Sequence, residues 1–84
     1  MIYYVYLIKS VNSSINKSYV GYTNNLKKRL YLHNSNKGAK STKGFKWIIV
    51  YKKKFYSKSS AMSYEYYLKK NRILRKKLIS KYCN

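Results

Sequence analysis

Residues 3–8, YYVYLI, carry apolar or aromatic side chains on both faces, and this limits the folds that the chain can adopt. These are β-favouring residue types, and with Lys9 they predict a strand over residues 3–9. Successive side chains of a strand point to opposite faces, which places Tyr4, Tyr6 and Ile8 on one face and Tyr3, Val5 and Leu7 on the other. Because both faces need cover, we expect this strand to lie in the centre of a small sheet.

The segments that follow predict a hairpin, a helix and a third strand. Residues 18–22 should pair with the first strand across the polar, turn-forming residues 10–17. A helix capped by Thr23 or Asn24 then carries Leu26 and Leu30 on its core side. Alternation in the third strand, within residues 45–56, is expected to turn Trp47, Ile49 and Tyr51 to one face and Ile48 and Val50 to the other.

Two further helices complete the predicted order β-β-α-β-α-α. The first starts near residues 57–60 and runs to about residue 70, with Ala61, Tyr64 and Leu68 as its inward stripe and Glu65 on the same side. The second, over about residues 72–82, should turn Ile73, Leu78 and Ile79 inward. We therefore predict an α+β fold in which helices flank a three-stranded, mostly antiparallel sheet, built as a single domain over residues 1–84.

The charge of the chain is strongly unbalanced. Twenty Lys and Arg residues stand against one acidic residue, Glu65, which gives a formal net charge of +19. Such a chain is attracted to polyanions, and nucleic acid is the polyanion that basic side chains bind with release of counterions. We expect DNA as the partner, with RNA as a second candidate.

Targeting signals and disulfide pairs do not stand out in the sequence. No apolar run is long enough to span a bilayer, and the first ten residues are too rich in tyrosine for a secretory signal. Cys83 has no second cysteine to pair with. We therefore expect an intracellular setting, in the cytoplasm, on the nucleoid or in an organelle.

Several kinds of catalytic site are excluded by residue counts. One Cys, one His and one Glu are too few for a structural zinc site. A Ser-His-Asp triad needs an Asp, and a two-metal nuclease or a paired-carboxylate mechanism needs more than one carboxylate. Phosphodiester chemistry in this chain therefore uses at most one metal ion, held by Glu65.

Five short motifs follow one another along the chain. They are YVY at residues 4–6, YVG at 19–21, LKKRLYLHN at 26–34, GAKST at 38–42 and AMSYE at 61–65. Each is common by itself, but the ordered set resembles the GIY-YIG nuclease family. It is similar to the small stand-alone members that are related to the excision-repair nuclease subunit, and the resemblance covers nearly the whole chain. The first motif reads YVY rather than GIY, and Lys77 stands where many members carry an Asn.

The resemblance implies roles for five residues. Tyr6 and Tyr19 are the paired site tyrosines, and one of them, or a water that it orients, is the general base. Arg29 neutralises charge on the phosphate, and His33 aids a tyrosine as proton acceptor. Glu65 holds one divalent cation, Mg²⁺ or Mn²⁺. Nearby cations favour a phenolate, so we expect the pKa of the site tyrosines to be lowered.

Taken one at a time, these residues also fit ordinary structural roles. Glu65 is the clearest case, because a salt bridge to Arg29 or to a nearby Lys would serve a lone inward-facing carboxylate. Residues 34–44 form a loop with two plausible functions, a phosphate-contacting flap or a solvated connection. The basic residues that we expect to contact nucleic acid are Lys27, Lys28, Lys37, Lys40 and Lys43.

The resemblance implies a metal-dependent DNA endonuclease, structure-selective or weakly sequence-specific, that acts in repair or recombination. The implied mechanism is one-metal hydrolysis of a phosphodiester bond. The alternative is a non-catalytic basic module on the same fold that holds DNA or structured RNA, as part of a ribonucleoprotein. Strong sequence specificity would require a protein partner.

Overall fold

The computed structural model describes residues 1–11 and 14–83, without the side chain of Cys83. Asn12 and Ser13, in the predicted polar connection, lie outside the described residues. The elements are β1 (Tyr3–Val11), β2 (Ser18–Thr23), α1 (Leu26–Asn34), a short 3-10 turn (Lys40–Thr42), β3 (Lys46–Phe55), α2 (Lys58–Lys70) and α3 (Arg72–Cys83). None of the helices in these described ranges is long and apolar enough to cross a membrane.

The sheet has the strand order β2-β1-β3, and both pairings are antiparallel. This confirms the predicted α+β fold, the order of its elements and the central place of β1. Val5, Tyr6, Leu7 and Ile8 are all buried, because β1 is covered on both faces.

Two apolar clusters lie on the two faces of the sheet. Val5 and Leu7 pack with residues of α2 and α3, including Ala61 and Leu68. Tyr6 and Ile8 pack on the other face with Trp47 and with Leu26 and Leu30 of α1. The helices therefore form layers on opposite sides of the sheet, and β1 separates them.

A β-bulge in β3 changes the predicted alternation. Leu7 pairs with Tyr51 and Ile8 pairs with Ile49, so Val50 is an extra residue between them. The prediction that Tyr51 shares a face with Trp47 and Ile49 is wrong, since Tyr51 packs with Val50 in the Leu7 cluster. A bulge inserts one residue and shifts the faces of the strand beyond it.

The helix ends differ from the sequence expectations in detail. Asn25, one residue after the predicted caps, is the N-cap of α1, and its side chain accepts a hydrogen bond from the Lys28 backbone N–H. Ser57 caps α2 as expected.

One inward-facing position of α3 was predicted wrongly. Ile73 was predicted to point inward but is 71 % exposed. Leu74 packs on the core instead, because it lies four residues before Leu78 and so shares its side of the helix.

Candidate active site

The two predicted site tyrosines meet on the α1 side of the sheet. Tyr6 lies in the middle of β1, directly opposite Gly21 of β2. A Cβ atom at Gly21 would lie 2.7 Å from Cζ of Tyr6, so the Tyr6 ring covers a position that only glycine can occupy. The ring centroids of Tyr6 and Tyr19 are 6.5 Å apart. The YVY and YVG motifs therefore form a single surface across the β1–β2 pair.

A buried chain of hydrogen bonds runs from Tyr6 into the protein. Oη of Tyr6 lies 2.8 Å from Nε2 of His33, and Nδ1 of His33 lies 3.0 Å from Oγ1 of Thr42. Thr42 donates its single hydroxyl proton to the Ala39 carbonyl at 2.8 Å. Thr42 must therefore accept from Nδ1–H of His33, which leaves Nε2 unprotonated. It follows that the Tyr6 hydroxyl donates to His33.

The loop after α1 packs against His33 and holds these hydrogen bonds in place. Thr42 is fully buried, and its carbonyl accepts a hydrogen bond from Nε1 of Trp47 at 3.0 Å. A Cβ atom at Gly38 would lie 3.0 Å from Cα of His33, so the backbone of the loop packs directly against the helix. The GAKST motif thus supports His33, and the lysines of the loop, Lys37, Lys40 and Lys43, are exposed around it.

Arg29 approaches the same tyrosine oxygen from α1. Its Nε donates to Oη of Tyr6 at 3.4 Å. This hydrogen bond, with the charges of Tyr6 and Tyr19, raises the pKa of Arg29, against the effect of its own burial. Arg29 and His33 are four residues apart, so both side chains leave α1 on one side and converge on Tyr6.

Burial controls the proton affinities of the Tyr6–His33 pair. It raises the pKa of Tyr6 to about 12, although the hydrogen bond and the charge of Arg29 oppose it. Burial, followed by the charge of Arg29, lowers the pKa of His33 to about 4. The expectation that nearby cations lower the pKa of Tyr6 is therefore wrong for the free protein, because desolvation of the phenolate outweighs the cation. At neutral pH both side chains are uncharged.

Glu65 reaches the site from α2, on the other side of the sheet. Its side chain is 19 % exposed, and its Oε2 lies 3.8 Å from Nζ of Lys69, one helical turn further on. The same Nζ lies 5.7 Å from the centre of the Tyr19 ring. The charge of Glu65 also raises the pKa of Tyr6, which places the carboxylate within electrostatic reach of the tyrosines. The ion pair forms with Lys69, while Arg29 contacts Tyr6.

Glu65 fits a magnesium or manganese ion only with help from other ligands. Among the residues that the structure describes, no three His, Cys, Asp or Glu side chains form a ligand group. Mg²⁺ is commonly held by one or two carboxylates together with waters and substrate phosphates. A hard, partly exposed carboxylate within electrostatic reach of Tyr6 meets the protein's share of that coordination.

The sequence assigned no individual role to three residues of the site. Thr42 and Gly38 set the position of His33, and Lys69 pairs with Glu65. The spacing of Glu65 and Lys69, four residues apart on a helix, was the available signal for that pair.

The predicted nucleic-acid contacts on α1, Lys27 and Lys28, are also exposed.

Comparisons with known proteins agree with the motif order. Residues 2–77 match the model of the GIY-YIG catalytic domain. The UPF0213 protein OB0043 of Oceanobacillus iheyensis is 46 % identical over 80 % of this chain and 76 % of its own length. A UPF0213 protein of Staphylococcus haemolyticus is 44 % identical over 80 % of this chain and 79 % of its own.

A solved structure is also similar to this chain. It is the solution NMR structure of the UPF0213 protein BH0048 from Bacillus halodurans, which is 36 % identical and superimposes with a TM-score of 0.53. The match covers 95 % of this chain and 84 % of that one. The names of these relatives state no reaction.

Proposed function

Because the chain belongs to the GIY-YIG catalytic domain family, which is a family of nucleases, we propose that it is a metal-dependent DNA endonuclease. It hydrolyses phosphodiester bonds in DNA, with selectivity for structure or only weak sequence preference. Its role lies in DNA repair or recombination.

One observation carries this proposal: a hydrogen-bond relay with a fixed direction leads away from the oxygen of Tyr6. That oxygen already accepts from Arg29 and donates to His33, and its remaining lone pair is available to a water. In a binding module the same hydrogen bonds would only satisfy buried polar groups. A base that must remove a proton from water needs such a path.

The relay permits a neutral tyrosine to act as a base. The attacking water gives its proton to Oη of Tyr6 while Tyr6 passes its own proton to Nε2 of His33. The resulting hydroxide forms the new bond to phosphorus, and the bond to the leaving oxygen breaks. That oxygen takes a proton from solvent, and His33 ends the step as an imidazolium. A free phenolate, which a pKa of about 12 disfavours, never forms.

Substrate binding favours the final position of the proton. The pKa of His33, about 4 in the free protein, opposes its protonation. A DNA phosphate placed against Arg29 adds negative charge near the imidazole, and an opposite charge raises the pKa of His33. The same phosphate pairs with Arg29, whose cation neutralises the charge that develops on the phosphoryl oxygens.

Glu65 and Tyr19 form the other side of the proposed site. Glu65 would hold one Mg²⁺ or Mn²⁺ ion, and a bound divalent ion polarises the phosphoryl group and supports the leaving oxygen. The Tyr19 ring centroid lies 5.1 Å from that of His33 and 6.5 Å from that of Tyr6. We assign Tyr19 the role of orienting the water or the phosphate next to Tyr6.

The alternative is a non-catalytic module that holds DNA or structured RNA. The net charge of +19 favours nucleic-acid binding of either kind, and Lys77 replaces the Asn of many family members. The two functions differ in whether DNA is cut, so a single assay separates them.

We would test the proposal by incubating the protein with supercoiled plasmid and with flap, fork, junction and plain duplex DNA. Each reaction is run with Mg²⁺ and, in parallel, with EDTA. We expect Mg²⁺-dependent nicking that is strongest on one of the branched substrates. Binding without nicking on every substrate would support the non-catalytic module, and equal nicking in EDTA would exclude the metal-dependent mechanism.

A further inference from the structure

A second basic surface lies outside the candidate active site. It is a cleft of about 370 Å³ between the end of the β1–β2 hairpin and α3. Five basic side chains line it: Lys9, Lys17, Arg72, Arg75 and Lys76. No acidic side chain borders it, because the sequence has only Glu65, which lies at the candidate active site.

This cleft continues into the candidate active site. A neighbouring cleft of about 210 Å³ is lined by Ser18, Tyr19, Val20, Lys69 and Arg75. Ser18 and Arg75 belong to both clefts, while Tyr19 and Lys69 border the proposed catalytic groups. The two clefts therefore make one basic groove that leads from Tyr19, past Arg75, to Arg72 and Lys76.

Arg75 is fixed at the junction of the two clefts. Its Nη1 donates to the carbonyl of Leu68 at 2.9 Å and also to the carbonyl of Lys69, both at the C-terminal end of α2. These contacts use only part of a guanidinium group that carries five N–H donors. The side chain is thus held in place by the fold while donors remain for an anion in the groove.

The groove begins one residue away from the candidate active site, at Ser18. Ser18 is the residue before Tyr19 in β2, and a strand rises about 3.3 Å per residue. Successive phosphates of one DNA strand are spaced about 3.4 Å along the helix axis. A strand whose scissile phosphate lies beside Tyr6 and Tyr19 would therefore bring its next phosphates to this groove within a few nucleotides.

We infer that this groove binds the sugar-phosphate backbone of the strand being cut, on one side of the scissile phosphate, with Arg72 and Lys76 as phosphate contacts. The inference rests on the proposed function. It assigns the strand a path over α3, separate from the lysines of α1 and of the loop at residues 37–43. Phosphate contacts of this kind position the substrate and read no sequence.

The test compares two double variants that remove equal charge from the same helix. Arg72→Gln with Lys76→Gln changes the groove, and Lys77→Gln with Lys81→Gln changes exposed positions of α3 that do not line it. Duplex DNA binding is measured in EDTA as a function of salt. The unchanged protein should show a log–log slope of at least about four, and the groove variant should lose about two units of slope, about one for each contact. The control should lose less than half of that.

Position along the strand is tested by trimming the substrate. The branched substrate that is cut best is mapped for its cleavage position in Mg²⁺, and it is then shortened towards that position from one side and, in a second series, from the other. Only one of the two series should abolish the difference in affinity between the unchanged protein and the groove variant. The exchange Arg72→Lys with Lys76→Arg keeps both charges and should restore binding, which separates lost contacts from a folding defect.

Two outcomes overturn the inference while leaving the proposed function intact. One is that both double variants bind DNA equally while the unchanged protein cuts it. The other is that trimming from either side has no effect on their difference. A slope near zero for the unchanged protein would refute the groove and the DNA endonuclease together.

Discussion

The two sides of the candidate site differ in how completely the protein bonds its own groups. On the α1 side, Tyr6, His33 and Thr42 are 0–2 % exposed and form an unbroken chain of hydrogen bonds. On the α2 side, Glu65 has a 3.8 Å ion pair with Lys69, and the Lys69 side chain is 47 % exposed. The fold bonds the polar groups of the first side, whereas the Glu65 carboxylate of the second side is only weakly paired.

This difference follows from what each kind of group tolerates. A buried polar group without a partner is destabilising, so a proton path through the interior has to be bonded in the free protein. A carboxylate that receives a metal must remain able to exchange partners, and a half-exposed ion pair contributes at most about 1 kcal/mol of stability. We therefore expect changes on the α2 side to affect cleavage alone, and changes on the α1 side to affect both cleavage and stability.

The largest expected effect is that of Glu65→Gln. It removes the only carboxylate side chain in the sequence, so cleavage should fall below detection. DNA affinity should be unchanged or higher, because one negative charge no longer repels the phosphates. The melting temperature should stay nearly constant, since only a weak ion pair is lost.

Lys69→Gln is the matched control for the stability of Glu65→Gln, because it breaks the same ion pair from the other partner. The two variants should melt at similar temperatures. If Glu65→Gln instead melts much earlier and any Mg²⁺-dependent rise in melting temperature persists, Glu65 is structural. A stable Glu65→Gln variant that still cuts would refute both the metal role and the one-metal mechanism.

The next largest effect should separate the two tyrosines. Tyr6→Phe breaks the relay to His33, and we expect a loss of activity of roughly a hundredfold or more if Tyr6 is the general base. Tyr19 is outside the hydrogen-bonded chain from Tyr6 to Thr42, so Tyr19→Phe should lose less. Tyr31→Phe, at a position of α1 that is 64 % exposed, is the control for hydroxyl removal. Full activity of Tyr6→Phe in nicking assays would move the base to Tyr19 or to another group.

The sequence predicts the parts of the site that follow from regular periodicity. The alternation of β1 placed Tyr6 and Ile8 together, and the stripe of α2 placed Ala61, Tyr64 and Leu68 in the core. These predictions succeed because strands and helices repeat their side-chain directions at fixed intervals. The β-bulge at Val50 breaks that repeat, and Tyr51 therefore lies on the face opposite to the one predicted.

The remainder of the site depends on contacts between distant segments. Thr42 lies in a polar stretch of the sequence, and its burial arises only when Trp47 and His33 close around the loop. The high pKa of Tyr6 has the same origin, because burial removes water from the phenolate and this effect outweighs that of Arg29. No periodic pattern in the sequence indicates the burial of Thr42 or the raised pKa of Tyr6, so both could be found only in the folded structure.

The third effect concerns acid stability and arises from His33. In the unfolded chain its pKa is the ordinary value near 6.5, and in the folded protein it is about 4, so the unfolded state binds more protons between these values. The free energy of unfolding should therefore fall as the pH drops from about 6.5 to about 4, and then level off. The total change is roughly 3 kcal/mol, by linkage.

This pH dependence is easily assigned in this protein. One acidic side chain stands against twenty basic ones, so few carboxylates titrate in the same interval. Urea unfolding at a series of pH values measures the change, and His33→Gln should flatten it. A slope of the same size in His33→Gln would show that another group is responsible.

The smallest effect should come from Thr42→Val, which keeps the side-chain volume and removes the hydroxyl. Nδ1–H of His33 would lose its acceptor in a fully buried position, which costs about 1–2 kcal/mol of stability. The proton could then move to Nε2 to face Tyr6, and the relay would start in the wrong tautomer. We expect nicking to slow by about tenfold, which is less than the roughly 10²–10⁴-fold that general acid–base catalysis supplies, because the relay is misdirected and not removed. Thr42→Ser retains the hydroxyl and should restore the rate even where its smaller side chain lowers the melting temperature. The comparison of the two variants distinguishes a role of Thr42 in fixing the His33 tautomer from a role in packing the loop. If Thr42→Val and Thr42→Ser cut equally fast, Thr42 supports the loop and has no part in directing the proton.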